Sequence, residues 1–317
     1  MIKVIVTEQE YKKAAHVFDK AEGFECIPAP PDESGLAAKI RETGAKFAII
    51  GINKYCLELY DAIPAGGVIA RFGVGHDGVD KVLAKNRGIH CCNTPGVLDD
   101  SVAECTIGLM LSAARHLAAC SAGSKAGRWN PCLGIELSGK TLAVIGCGNI
   151  GRKVAKIAKY GFGMKVVGFD VAKPADTSAI DEFKNDFGDA VKNADFMSVH
   201  IPDIPSTRDY INFDRLKMMK HSAILINTAR GGILDENALY DALKSGIIAG
   251  AALDVFKIEP YSPQNPGKDL RTLDRIIMTP HIGSSTHEAC ERMATAALRN
   301  IELATHGKIK EMNLIIQ

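Results

Sequence analysis

The sequence has no marked excess of either charge: 38 Lys and Arg stand against 37 Asp and Glu, a formal net charge of +1. A chain so balanced has no general electrostatic pull toward nucleic acid or an anionic membrane surface. It also has no run of about 18 apolar residues, so no membrane-spanning helix is expected. Met1-Ile2-Lys3-Val4-Ile5-Val6 lacks the layout of a signal peptide and reads directly as a strand. No CxxC pair occurs. The nine cysteines are an odd number and scattered, which is poor material for a disulfide framework or a zinc site. Reduced thiols, a cytoplasmic location and no metal are therefore expected. There is neither a repeat of solenoid period nor a low-complexity segment. What remains is a chain of 317 residues, 46% hydrophobic and 24% charged, of a size that suits two folded domains.

The first hundred residues alternate short Ile- and Val-rich runs with helical stretches. Ile2–Val6, Phe47–Gly51 and Val68–Phe72 read as buried strands, with helices over Glu8–Lys20, Ser34–Thr43 and Leu57–Ile63. Such alternation predicts a parallel sheet with right-handed crossovers. Ser101–Ala122 reads as one long apolar helix, capped by Asp99, Asp100 or Ser101, that must be covered by the sheet, a second subunit or both. After an irregular stretch around Asn130–Gly139, a second βα series has strands at Thr141–Ile145, Lys165–Phe169, Phe196–His200, Ala223–Asn227, Ala249–Leu253 and Ile276–Met278. Six strands suit a doubly wound fold. A last helix over about Ser285–Thr305 is long enough to return to the first domain. The expected organisation is a substrate domain of residues 1–99 plus 284–317, with a cofactor domain of residues 100–283 inserted into it. Two adjacent crossings would make a hinge beside a cleft. Trp129 is expected to pack near that crossing.

The pattern GxGxxG occurs twice, at Gly73-Val74-Gly75-His76-Asp77-Gly78 and at Gly146-Cys147-Gly148-Asn149-Ile150-Gly151. Dinucleotide binding needs a strand before the pattern, a helix opening at it, and an acid about 20 residues on, at the tip of the next strand. The second copy meets all three conditions, with Asp170 placed to accept bonds from the adenosine ribose. The strand after the first copy, Ile89–Cys92, runs into Asn93-Thr94-Pro95 with no acid at its tip. The pyrophosphate is therefore expected on Gly146, Gly148, Asn149, Ile150 and Gly151 at the helix N-terminus. Asp170 would oppose a 2′-phosphate, so NAD is expected rather than NADP; Lys173 is the one nearby cation that could soften that choice. His200, Ile201, Pro202 and Thr207 are expected to line the cofactor site, without a catalytic role for His200. Cys147 occupies an unspecified position and carries no expected redox role.

Three polar positions sit just past later strands, where an open α/β sheet places its ligands: Thr228-Ala229-Arg230, Asp254 followed by Glu259-Pro260, and Thr279-Pro280-His281-Ile282-Gly283. With these residues the sequence resembles the D-isomer-specific 2-hydroxyacid dehydrogenases along nearly its whole length. The resemblance includes Arg71-Phe72-Gly73-Val74-Gly75-His76-Asp77, Asn93-Thr94-Pro95-Gly96-Val97, Val102-Ala103-Glu104, Asn227-Thr228-Ala229-Arg230-Gly231-Gly232 and Gly250-Ala251-Ala252-Leu253-Asp254-Val255-Phe256. Taken alone, Arg230 could be an ordinary ion-pair arginine and His281 a structural histidine; the shared pattern carries the assignment.

The resemblance implies two doubly wound α/β domains, a Rossmann cofactor domain inserted into a flavodoxin-like substrate domain. It implies an NAD-dependent hydride transfer on a small 2-hydroxy or 2-keto acid. Arg230 would grip the substrate carboxylate and carbonyl oxygen. His281 would exchange the proton, and Glu259 would orient the imidazole and favour its protonated form. Asp254, Thr228, Ala229 and Gly283 would contact the cofactor, Asp254 at the nicotinamide carboxamide. Backbone N–H groups near Val74 and Gly75 would cradle the substrate carboxylate, with His76 alongside. Lys54 is the only cation in Ile50–Lys54 to meet a phosphate, which weighs against phosphoglycerate, as does the lack of a regulatory C-terminal domain; Arg71 lies close by. Glyoxylate, hydroxypyruvate, D-lactate-like acids and D-3-phosphoglycerate stay as substrate candidates, and Glu259 in place of glutamine argues against the formate dehydrogenase relatives. A homodimer through the cofactor domains is expected. The competing reading is a non-catalytic NAD(H)-sensing corepressor on the same fold, against which the absence of interaction tails counts.

Overall fold

Strand β1 (Ile2–Thr7) is buried along its last four residues because parallel sheets are covered on both faces and select continuous apolar runs. In the computed structural model, which describes residues 1–315, it lies in a five-stranded parallel sheet with β2 (Phe24–Ala29), β3 (Phe47–Ile50), β4 (Val68–Arg71) and β5 (His90–Cys92). Ile316 and Gln317, the end of the expected 284–317 tail, lie outside the described residues. The strand order is β2-β1-β3-β4-β5, the flavodoxin-like arrangement. This sheet belongs to one compact unit, formed by Met1–Leu98 with the chain from Ser284 onward.

Asp99–Gly283 form a second unit around a seven-stranded parallel sheet. Its strands are β6 (Thr141–Ile145), β7 (Lys165–Phe169), β8 (Glu182–Lys184), β9 (Phe196–Val199), β10 (Ile224–Asn227), β11 (Gly250–Leu253) and β12 (Ile276–Met278). They run β12-β11-β10-β9-β6-β7-β8. The order reverses between β6 and β9, so the crevice for a ligand lies at the C-terminal ends of those two strands. Leu142, Ile145 and Phe196 are fully buried there. Each side chain so removed from water stabilises the sheet by about 1.5–3 kcal/mol. The helix Asn149–Phe162 follows β6 and buries Gly151, Val154, Ala155 and Ala158, a stripe at helical spacing, before ending at Gly163 with φ of 64°.

Five expectations change. The strand β2 was not anticipated: it is a sheet edge, holds Pro28 and leaves most positions partly exposed, so it shows no apolar run. The strand β8 was missed for a similar reason, as the three-residue outer edge Glu-Phe-Lys. The helix read as Ser101–Ala122 is two, Asp99–Ala114 and Leu117–Lys125, parted at His116 with φ of 54°. Likewise Glu8–Lys20 divides at Ala14 into Glu8–Lys13 and Ala15–Phe18. Trp129 does not pack inward and is 88% exposed. No helix among the described residues is long and apolar enough to cross a membrane.

Candidate active site

The glycine loop after β6 shows three different uses of glycine. Gly146 has φ of 97°, and a Cβ there would meet the His200 carbonyl carbon at 2.6 Å, so the loop lies directly on the chain leaving β9. At Gly151 a Cβ would come 2.0 Å from the Gly146 carbonyl oxygen, which enforces close approach of helix and strand. By contrast a Cβ on Gly148 would meet nothing within 4 Å. That open space lies at the N-terminus of the helix Asn149–Phe162, where no side chain caps the backbone N–H groups. This is the cradle a pyrophosphate requires, with donors and the positive end of the helix facing a surface clear of side chains. The residues present fit a dinucleotide.

Asp170 stands at the tip of β7, its Oδ2 accepting the Cys147 N–H at 2.7 Å and its Oδ1 the Val171 N–H at 2.7 Å. The acid is thus tied to the glycine loop itself. Cys147 is buried and its thiol is pushed up to about 11, mainly by burial, so it is an inert packing group. His200 pairs through Nε2 with Ser198 Oγ at 2.8 Å, and burial lowers it to about 4, leaving a neutral ring. Thr207 donates to the Pro202 carbonyl at 2.6 Å and accepts from the Ile204 N–H at 2.9 Å, which closes the loop containing Ile201 and Pro202. Thr228 shares a 2.7 Å hydroxyl contact with Thr106, and the Ala229 N–H bonds the Asn227 side chain at 3.0 Å.

Three strand ends carry the candidate catalytic groups. Arg230 follows β10, half-buried, with Nη1 donating to the Ala229 carbonyl at 2.6 Å. Asn227 donates to the Arg230 carbonyl at 2.9 Å, which holds the backbone that presents the guanidinium. Glu259 lies beyond β11 and His281 beyond β12. They meet through His281 Nδ1 and Glu259 Oε2 at 2.7 Å, with side chains 25% and 24% exposed. The other carboxylate oxygen accepts the Phe256 N–H at 2.9 Å. Burial works to raise the Glu259 carboxyl, but the His281 contact, the Phe256 N–H and the nearby Arg230 charge together hold it below the ordinary carboxylate value. The pairing commits Nδ1 to Glu259 and leaves Nε2 as the nitrogen able to face a substrate oxygen.

His281 adopts φ of 54°, unusual for a side-chain-bearing residue. Asp254, 1% exposed, supports that turn. Its Oδ1 accepts from Thr279 Oγ1 at 2.6 Å and from the Ile282 N–H at 2.8 Å, and its Oδ2 accepts from the Gly283 N–H at 2.7 Å. Ser101 Oγ in turn donates to the Gly283 carbonyl at 2.8 Å. Beside the cofactor contact expected of Asp254, its carboxylate holds the histidine loop.

In the other unit, the loop after β4 carries Val74, Gly75 and His76, all half-buried, and Lys54 is exposed on the loop after β3. Two residues not singled out for this purpose anchor the loop. Thr94 Oγ1 accepts the Gly73 N–H at 3.0 Å, and Asn93 Nδ2 donates to the Val74 carbonyl at 2.7 Å. Their place in Asn93-Thr94-Pro95 was the available signal. Among the described residues no group of three or more His, Cys, Asp or Glu side chains is placed to hold a metal ion.

Comparison with known proteins gives a consistent picture. Residues 107–283 match the family model described as "D-isomer specific 2-hydroxyacid dehydrogenase, NAD binding domain". The chain is 39% identical to a glyoxylate reductase of Thermococcus litoralis over 319 residues, covering 97% of this chain and 95% of that one. It is 44% identical to a hydroxypyruvate reductase of Thermotoga maritima over 246 residues, 76% of this chain and 79% of the relative. A D-lactate dehydrogenase from Aquifex aeolicus, solved with NAD and lactic acid, superposes with a TM-score of 0.84 at 27% identity, covering 99% of both chains.

Proposed function

The chain belongs to the D-isomer-specific 2-hydroxyacid dehydrogenases, and from that membership we propose that Arg230, Glu259 and His281 carry its reaction. The protein is a nicotinamide-dependent oxidoreductase of D-2-hydroxy acids, and NAD fits the site. The observation that carries the reading is the 2.7 Å contact of His281 with Glu259 at adjoining strand ends. Bound NADH supplies the hydride. Arg230 holds the substrate carboxylate and carbonyl oxygen and so draws electron density from the carbonyl carbon. His281 Nε2 gives a proton to that oxygen during reduction and takes one from the hydroxyl during oxidation. Glu259 fixes the ring and stabilises the imidazolium form. The Gly146–Gly151 loop takes the pyrophosphate, Asp170 the adenosine ribose, and the backbone near His200, Ile201, Pro202, Thr207, Thr228, Ala229 and Gly283 the rest of the cofactor. We assign the substrate carboxylate also to the N–H groups of Val74 and Gly75, with His76 and Lys54 on the same unit. The substrate domain is the unit containing Met1–Leu98, and the cofactor domain is Asp99–Gly283.

Glyoxylate and hydroxypyruvate are the preferred substrates. Lys54 is the single cation of its loop, short of what a phosphate ester needs, and the relatives named above act on unphosphorylated acids. NADH oxidation followed by absorbance with a panel of 2-keto acids tests this: turnover with the two small acids is expected. Binding of NADH without turnover on any acid would return the corepressor-like alternative, which the intact His281–Glu259 pair does not favour.

An uncovered face supports a homodimer through the cofactor domains. The helix Leu117–Lys125 buries none of its residues, and Trp129 and Leu133 beyond it are 88% and 96% exposed. Through Ala118 the same helix lines a cavity of about 390 Å³, together with Ala113, Ala114, Ile224 and Ile276. Light scattering at micromolar concentration should give twice the chain mass of 34.0 kDa. The nine free thiols fit a reducing, cytoplasmic setting.

A further inference from the structure

Glu236 is a charged residue type only 4% exposed in the first turn of the helix Glu236–Lys244, and the reaction described above does not use it. Its Oε1 accepts the Lys257 N–H at 2.7 Å, while Oε2 is buried with no hydrogen-bond partner among the described residues. The adjacent amide, that of Phe256, is the one bonded to Glu259 Oε1. Two glutamates thus hold two consecutive N–H groups of one short segment, and the second of these acids is the partner of His281. The segment is confined from another side as well: a Cβ on Gly231 would fall 1.9 Å from the Phe256 carbonyl carbon and 2.4 Å from the Lys257 nitrogen. Gly231 directly follows Arg230, so the arginine loop and the Glu259 loop share this contact.

We propose that Glu236 is a positioning residue for the hydride-transfer site, setting the 256–259 segment in the register from which Glu259 reaches His281. The inference rests on the catalytic reading of His281 and Glu259. Glu236 serves as an acceptor, its Oε1 taking the Lys257 N–H. Burial pushes its carboxyl up; the Lys257 N–H and ammonium oppose this, and Asp235 and Glu259 add to it. Lys257 itself is engaged by Asp209, so it does not neutralise Glu236 alone. A carboxyl group kept for its acceptor oxygen should be replaceable by the isosteric amide, and not by a hydrocarbon of similar size.

The test compares Glu236→Leu and Glu236→Gln with the wild type, using NADH and glyoxylate. Removing a group that orients a functional side chain is expected to cost about 10–100-fold in activity, the range seen for the partners that orient metal ligands. E236L should therefore lose about that factor in kcat while its dissociation constant for NADH stays unchanged. The alkaline limb of its reduction profile should also move to lower pH, because a displaced carboxylate no longer stabilises the imidazolium. E236Q should restore both kcat and the profile. If E236L does not fold, Gly231→Ala, which presses on the same peptide from the other side, should show the same displaced limb. The proposal is overturned by a wild-type profile in E236L or G231A, or by an E236Q as impaired as E236L. It is equally overturned by a kcat loss that comes with a lower melting temperature and an unmoved profile. His281→Asn run beside them separates the two levels: its full activity would sink the catalytic reading, whereas its inactivity with a wild-type E236L sinks this inference alone.

Discussion

The carboxylate of Asp254 accepts the N–H of Gly283 at 2.7 Å, two residues beyond the histidine, and with Ile282 and Thr279 it closes a ring of bonds around the His281 turn. Hydrogen bonds to a buried charged acceptor contribute more than neutral ones, and three converge here. Asp254→Ala leaves three donors without their acceptor and should cost at least about 1–3 kcal/mol of unfolding free energy. Turnover should fall further than stability, because the left-handed turn at His281 loses its support. Urea titration alongside kcat measures both; a variant with unaltered stability would refute the role.

The Glu259–His281 pair makes a pH prediction with a definite sign. The folded Glu259 carboxyl is held below its ordinary value of 4.5, so the stability it contributes is fully present above pH 4.5 and is lost as pH falls through the lower folded value. Glu259→Gln should therefore lie below the wild type in melting temperature at pH 6, with the two curves meeting at acid pH. A constant gap from pH 6 to pH 3 would show that the charge is not the source.

Asp170 is expected to set cofactor choice. Its carboxylate bonds the Cys147 N–H, so a substitution also loosens the glycine loop. Asp170→Ala should raise the KM for NADH and narrow its advantage over NADPH by about tenfold, the change that roughly 1.4 kcal/mol produces. An unchanged ratio of kcat/KM for the two cofactors would remove Asp170 from that role.

Much of the fold could be read from the chain because central parallel strands advertise themselves. Ile145, Phe196 and Leu225 sit in short buried apolar runs, and Gly146 and Gly151 answer steric demands that sequence spacing encodes. The edge strands Phe24–Ala29 and Glu182–Lys184 were hidden because one side of each lacks a strand neighbour, so their side chains need not be apolar. The break at His116 follows a single left-handed residue with no glycine to announce it. At the site, Arg230, Glu259 and His281 could be singled out by their pattern. The supporting acids could not: Glu236 follows the helix cap Asp235 and looks like any acid in a first turn, and the three acceptor bonds of Asp254 depend on a loop 25 to 29 residues away.

The most direct test of the central claim is a side-by-side measurement of NADH affinity and glyoxylate turnover in the wild type and His281→Ala. General acid–base catalysis contributes about 10²–10⁴-fold. Turnover should drop by about that factor while the dissociation constant for NADH, proposed to bind at Gly146–Gly151, stays the same. An H281A protein that reduces glyoxylate as fast as the wild type would contradict the account.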